Sequence, residues 1–253
     1  MELWTAEHTR TLLPALAAML LFTFILRKLL GGKSHRVRMI PLKVVACILV
    51  VLEIGKQGLS LYRGYDLYNL PFHFCSLFIF AMPVMAFYKG RNQQHVYGVV
   101  TALSAAMTLL LLIYPNLIYG AGSVTRYFKD YMSFHTVTFH NLVMLAFLLI
   151  LGLELHEPAP RGEVRCLLLF TLVFCIVAAT MSQLLKTNYA GFYSCNVPVF
   201  ETVRLALQPV IGSVLAQAVY VSVVAVLHIA FTYGAYWLYR LLRYMTATHK
   251  QAV

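Results

Sequence analysis

The sequence predicts an all-α fold, a polytopic transmembrane helical bundle, and three observations carry that prediction. The chain of 253 residues is 60% hydrophobic and only 11% charged, with a mean hydropathy of +0.75, whereas soluble domains carry about 25% charged residues. Apolar runs of the ~20 residues that a helix needs to cross hydrocarbon recur along the chain. The strict alternation of a membrane β-barrel is absent. No repeat or low-complexity tract interrupts the pattern, so residues 1–253 read as a single integral membrane domain.

Seven spans are expected. The first, residues 12–30, is followed by Arg27 and Lys28 rather than preceded by basic residues, and no small-x-small site closes it, which marks a span and not a cleaved signal peptide. The second, 41–62, carries Glu53, Lys56 and Gln57 in its later half. The third, 70–88, opens on LPFHFCSLF, with Pro71 suited to a first helical turn. The fourth, 96–118, runs into YPNLIYGAGSVTRYFKDYMS, a Tyr-rich stretch broken by Pro and Gly. The fifth, 134–153, contains FHTVTFHN, and the sixth, 164–186, ends in Lys186, Thr187, Asn188 and Tyr189. The seventh, 209–242, is long enough to continue past the bilayer along the interface.

Topology follows from charge. The formal charge is +11, and 13 of the 20 Lys and Arg fall on alternate connections: Arg27 to Lys43, Lys89 and Arg91, Arg161 and Arg165, and the tail. By the positive-inside rule these connections are cytoplasmic, which places the N-terminus outside and the C-terminus inside, in a multi-pass protein of the cell membrane. The basic excess is therefore topological, and no nucleic-acid partner is implied. Five cysteines show no C-x-x-C and no disulfide framework; only Cys195 is expected on the exterior side.

With that topology Glu53, Lys56, Gln57, His73, Cys75, His135, His140, Asn188 and Tyr189 come to one depth near the outer leaflet, and His228 alone does not. An ionisable group in hydrocarbon costs about 3 kcal/mol, so these side chains are expected to face a shared interior. The bland reading is an interhelical hydrogen-bond cluster that serves assembly. The sharper one is a polar chamber, rimmed by the two aromatic outer loops 114–133 and 187–208, which suit either an interfacial belt or a lid.

Helix geometry separates the candidates. Successive residues turn by about 100°, so His73 and Cys75 on a helix point about 200° apart and do not meet. His73 is the one expected to face the chamber, because cysteine behaves in apolar surroundings as a small hydrophobe. His135 and His140 differ by about 140°; His140 is expected to lie deeper and His135 at the interface. No H-x-x-x-H or H-E-x-x-H occurs and the last span offers only His228, so no metal and no cofactor is implied.

The order Glu53, L-P-F-H-F-C, Y-P-N, F-H-x-x-x-x-H-N and N-Y resembles the YwaF-like integral membrane proteins, grouped with transmembrane protein 164, a eukaryotic acyltransferase that moves acyl chains between phospholipids through an acyl-cysteine. The resemblance covers most of the chain and implies a compact multi-span helical fold, membrane phospholipids as partners, and acyl chemistry. His73 matches the family pattern. The family's acyl-accepting cysteine precedes that histidine, where Phe72 stands here. Cys75, three residues on, would lie about 4.5 Å deeper and about 60° round from that position on a helix, which leaves it as a nucleophile if His140 is its base.

The expected function is thus a membrane-embedded acyltransferase or lipid hydrolase. In it His140 or His73 is the general base, Glu53 orients it, Cys75 carries the acyl group, and Gln57 and Asn188 supply oxyanion donors, with Lys56, His135 and Tyr189 on the substrate side. The same chamber also suits a transporter or binding protein for a small molecule or ion, and a structural subunit docking a partner is the third reading.

Overall fold

The computed structural model describes residues 3–120, 122–194 and 198–251; Cys195, expected on the exterior, lies outside the described residues. Among them the fold is all-helical. Five helices are long and apolar enough to cross a membrane: α1 (Ala6–Leu30), α5 (Gln93–Ile113), α7 (Tyr131–Gly152), α8 (Pro160–Leu185) and α10 (Ser213–Gln251). Between them lie α2 (His35–Arg38), α3 (Ile40–Tyr62), α4 (Leu77–Phe87), α6 (Pro115–Tyr119) and α9 (Pro198–Ile211), with a 3-10 turn at Leu67–Asn69.

The bundle is built round α5, which is buried continuously from Tyr97 to Thr108. Its central residues are small, Gly98, Ala102, Ser104, Ala105 and Ala106, which lets neighbouring backbones approach closely where lipid gives no hydrophobic drive to association. The hydroxyls of Ser104 and Thr108 donate to the carbonyls of Thr101 and Ser104, so these two are satisfied within the helix, whereas the buried Thr101 hydroxyl has no partner among the described residues. Helices α4, α7, α8 and α10 pack round α5, whereas α1 lies at the edge and buries only His8, Leu12 and Thr23.

The helices alternate between two ends. At one end Arg27 pairs with Glu154, His35 bonds the Leu155 carbonyl, Arg38 the Leu153 carbonyl, Gln94 the Glu157 carbonyl, and Tyr239 the His156 carbonyl. At the other end Trp4 bonds the Leu112 carbonyl, Tyr131 the Leu52 carbonyl, Tyr189 the Leu67 carbonyl and Tyr220 the Gly191 carbonyl. The first end collects the basic connections and the second the aromatic loops.

Three elements differ from expectation. The third apolar run does not become helical at Pro71: Leu70 is extended, as a residue before proline prefers, and α4 starts only at Leu77. The fourth span ends at Ile113, where Tyr114 and Pro115 open the separate α6. The last helix does not begin at Pro209, which lies inside α9; Gly212, at φ +81°, makes the break between α9 and α10.

Candidate functional site

Glu53 is the hub of a polar cluster at the aromatic end. One carboxylate oxygen, Oε1, accepts from Lys56 Nζ and from Gln57 Nε2, each at 2.7 Å. The other, Oε2, has His135 Nε2 at 3.2 Å, although the ring N–H is not aligned for a true hydrogen bond. Lys56 and Gln57 reach Glu53 because residues three and four apart share a helix face. His135 reaches it because α7 begins at Tyr131, whose ring docks against Gly55 while its hydroxyl bonds the Leu52 carbonyl at 3.0 Å. His135 is buried between helices and stacked on Phe139 at 5.3 Å, so it faces the bundle interior.

Gln57 carries the cluster toward the LPFHFC segment. Its Nε2 also donates to the Asn69 carbonyl at 2.8 Å, and its Oε1 accepts from the Tyr65 hydroxyl at 2.7 Å. Asn69 in turn donates to Ser60. These bonds hold residues 65–70 against the end of α3, and the backbone then passes through bonds three residues apart from His73 to Ile79 before α4 is established.

Within that turn the two residues of the opening motif part company. The His73 ring is held between Tyr68, 4.4 Å away, and Tyr189, 5.3 Å away, and its Nε2 donates to the Tyr68 carbonyl at 3.0 Å, which leaves the lone pair on Nδ1 of the neutral ring. Cys75 packs on the main core and lies within electrostatic reach of Lys56, Glu53 and Tyr68. The α-helical angles assigned to Phe72, His73 and Cys75 do not apply, because Pro71 to Ser76 are not α-helical.

His140 is buried deeper in α7. Its Nδ1 donates to the Thr136 carbonyl at 2.6 Å, so the neutral ring carries its lone pair on Nε2. Its ring meets Tyr119 at 6.3 Å and Phe139 at 5.8 Å. Glu53 is bonded to Lys56 and Gln57 and faces His135, so it does not hold His73 or His140.

Tyr189 is fully buried, donates to the Leu67 carbonyl and packs on Phe72 and His73, so it joins this site. Asn188 does not. Its Oδ1 accepts from the backbone N–H groups of Tyr193 and Ser194 and closes the loop after α8. His228 sits in an aromatic cage of Phe74, Phe174 and Phe192, so through Phe74 it borders the LPFHFC turn without bonding to the Glu53 cluster.

A second polar cluster is not foreshadowed by the sequence. At the basic end Glu163 is fully buried, with His156 Nε2 at 2.9 Å and Gln94 Nε2 at 2.8 Å on one oxygen and the Tyr236 hydroxyl at 2.7 Å on the other. A side chain on Gly98 would overlap Glu163, so that glycine makes its cradle. The visible signal was Tyr236 and Tyr239, two hydroxyls on one face of the last helix that require acceptors when buried.

No curated protein and no solved structure matches this chain. The model of the TMEM164 family does match, over residues 3–239, which takes in every helix from α1 to Tyr239 of α10 and both polar clusters; the chain belongs to the TMEM164 family.

Proposed function

We propose that this protein is a membrane-embedded enzyme acting on phospholipid acyl chains, with its site where the Glu53 cluster meets the His73–Cys75 turn. The observation that carries the reading is that residues from α3, the LPFHFC turn, the start of α7 and the loop after α8 converge at one end of the bundle. Family membership supports it, given the acyl chemistry that the resemblance implies. In addition to the five long helices, α3 and the segment ending in α4 cross the membrane, giving seven spans. The basic end then faces the cytoplasm and the site opens toward the outer leaflet of the cell membrane.

In the transfer, Cys75 Sγ attacks the carbonyl carbon of a glycerophospholipid ester while its proton passes to His140 Nε2. The ester C–O bond breaks, the glycerol oxygen takes that proton, and an acyl thioester remains on Cys75. The hydroxyl of a lysophospholipid then attacks the thioester, giving its proton to His140, and the thiol is restored as the new ester forms. His73 and Tyr189 position the chain at the turn, Gln57 holds that turn against α3 through the Asn69 carbonyl, and the Lys56 charge favours the thiolate that must form. The buried Glu53 balances Lys56 and fixes His135, and through it the start of α7.

Lipidomic comparison of cells with and without the protein, beside a His73→Ala control, tests this. Altered acyl composition that the variant abolishes supports it. Uptake or ligand-dependent stabilisation with unchanged lipids points to a transporter instead.

A further inference from the structure

At the basic end, α8 and α10 flank a shallow, open groove of about 550 Å³ whose lining includes Arg161, Val164, Arg165, Leu168, Leu169 and Trp237. The cations round it differ from their neighbours. Arg27 and Arg243 pair with Glu154 and Glu157, and Arg38 bonds backbone carbonyls. Arg161 and Arg165 are exposed, and among the described residues neither they nor Arg240 pairs with a carboxylate. Arg240 lies 4.8 Å over the Trp237 ring, which brings a third positive charge to the groove wall. The indole Nε1–H of Trp237 is enclosed without an acceptor.

One side of the groove continues as hydrocarbon-facing surface. Leu169, Leu172, Val173 and Ile176 are all exposed and share the face of α8 that begins at Arg165. From Arg165 to Ile176 that face runs about 16 Å, close to the ~15 Å depth of one leaflet. An anionic head at the arginines and an acyl chain along this row would fit both halves of the surface at once. A free phosphate would use only the first half.

We propose that this groove is a binding site for an anionic phospholipid, whose phosphate is held by Arg161 and Arg165, whose glycerol region packs on Trp237, and whose chain lies along Leu169 to Ile176. The site is at the opposite end of the bundle from the Glu53 cluster and does not depend on acyl chemistry there.

The test is native mass spectrometry and thermal shift of the full-length protein in detergent, titrated with phosphatidylglycerol, phosphatidylcholine or inorganic phosphate. Phosphatidylglycerol is expected to be retained and to stabilise, and phosphatidylcholine and phosphate are not. At roughly fivefold per arginine, Arg161→Ala with Arg165→Ala should weaken phosphatidylglycerol binding about 25-fold. Arg161→Lys with Arg165→Lys, which keeps both charges, should weaken binding far less than the alanine pair and guards against misfolding of the alanine variant. Unchanged retention in the alanine variant, or equal stabilisation by inorganic phosphate alone, overturns the proposal.

Discussion

His135 Nε2 lies 3.2 Å from Glu53 Oε2, with both side chains buried, and so ties the second turn of α7 to the later half of α3. Lys56 and Gln57 complete the coordination of the same carboxylate from within α3. The arrangement places a compensated charge, and not a lone one, beside the turn that carries His73 and Cys75.

Glu53→Ala would leave the Lys56 ammonium enclosed without its counter-charge. Removing one partner of a buried pair costs about 3–5 kcal/mol, so this variant should lose most of its thermal stability in detergent. Glu53→Gln keeps an acceptor for Gln57 and Lys56 and should retain the fold better. Equal melting temperatures for wild type and Glu53→Ala would contradict the hub role.

Tyr189→Phe removes the hydroxyl that donates to the Leu67 carbonyl and keeps the ring against His73. The expected cost is about 1 kcal/mol, with faster hydrogen exchange confined to Leu67–Asn69. Exchange that rises elsewhere but not there would count against this tether.

Gly55→Ala should act through one contact. A Cβ at this position overlaps the Tyr131 hydroxyl, so the substitution must displace the ring that seats α7 on α3. Overpacking of this kind costs about 1–3 kcal/mol. In a Tyr131→Phe background, where the hydroxyl is gone, the same change should cost less; an identical cost in both backgrounds would show that Tyr131 is not what Gly55 accommodates.

Asp130 caps α7, with Oδ2 accepting from the Ser133 N–H at 3.0 Å and its hydroxyl at 3.1 Å. Burial pushes this carboxyl up, but those bonds, the Met132 N–H and nearby Arg63 outweigh it and hold the group below the usual carboxylate value. Its contribution to stability is then complete above about pH 4, the unfolded value, and is lost as pH falls through the lower folded value. Asp130→Ala should cost about 1 kcal/mol at neutral pH, whereas Asp130→Asn keeps the cap and should lose only this acid-dependent part. A wild-type and Asp130→Asn pair with the same acid dependence would refute the assignment.

Much of the bundle is legible from hydropathy, because an apolar run of span length has few other folds open to it. The start of the third run was misread because Pro71 suits a first helical turn, yet bonds from Gln57 and Tyr189 to the backbone of residues 67–69 pin the preceding chain and favour an extended Leu70. The contact between His135 and Glu53 is hidden for a related reason. The helix begins at Tyr131, three residues earlier than hydropathy alone suggests, which moves His135 into the second turn and against Glu53. Asn188 is expected as a donor by its depth, and the loop that turns back fixes it through its amide oxygen alone, which accepts two backbone N–H groups. Glu163 gave no hint, since in HEPAPRGEVR it reads as part of a solvated connection until Tyr236 and His156 are brought to it.

The account rests on acyl transfer through Cys75, and proteoliposomes test it most directly. Purified protein is supplied with a phospholipid labelled in one acyl chain and an unlabelled lysophospholipid, and label movement is followed together with the intact mass of the protein. The account predicts transfer of label, an acyl-sized mass increase on Cys75, and loss of both in Cys75→Ala and in His140→Ala. Undiminished transfer in Cys75→Ala, or no transfer by the folded wild type, would contradict it.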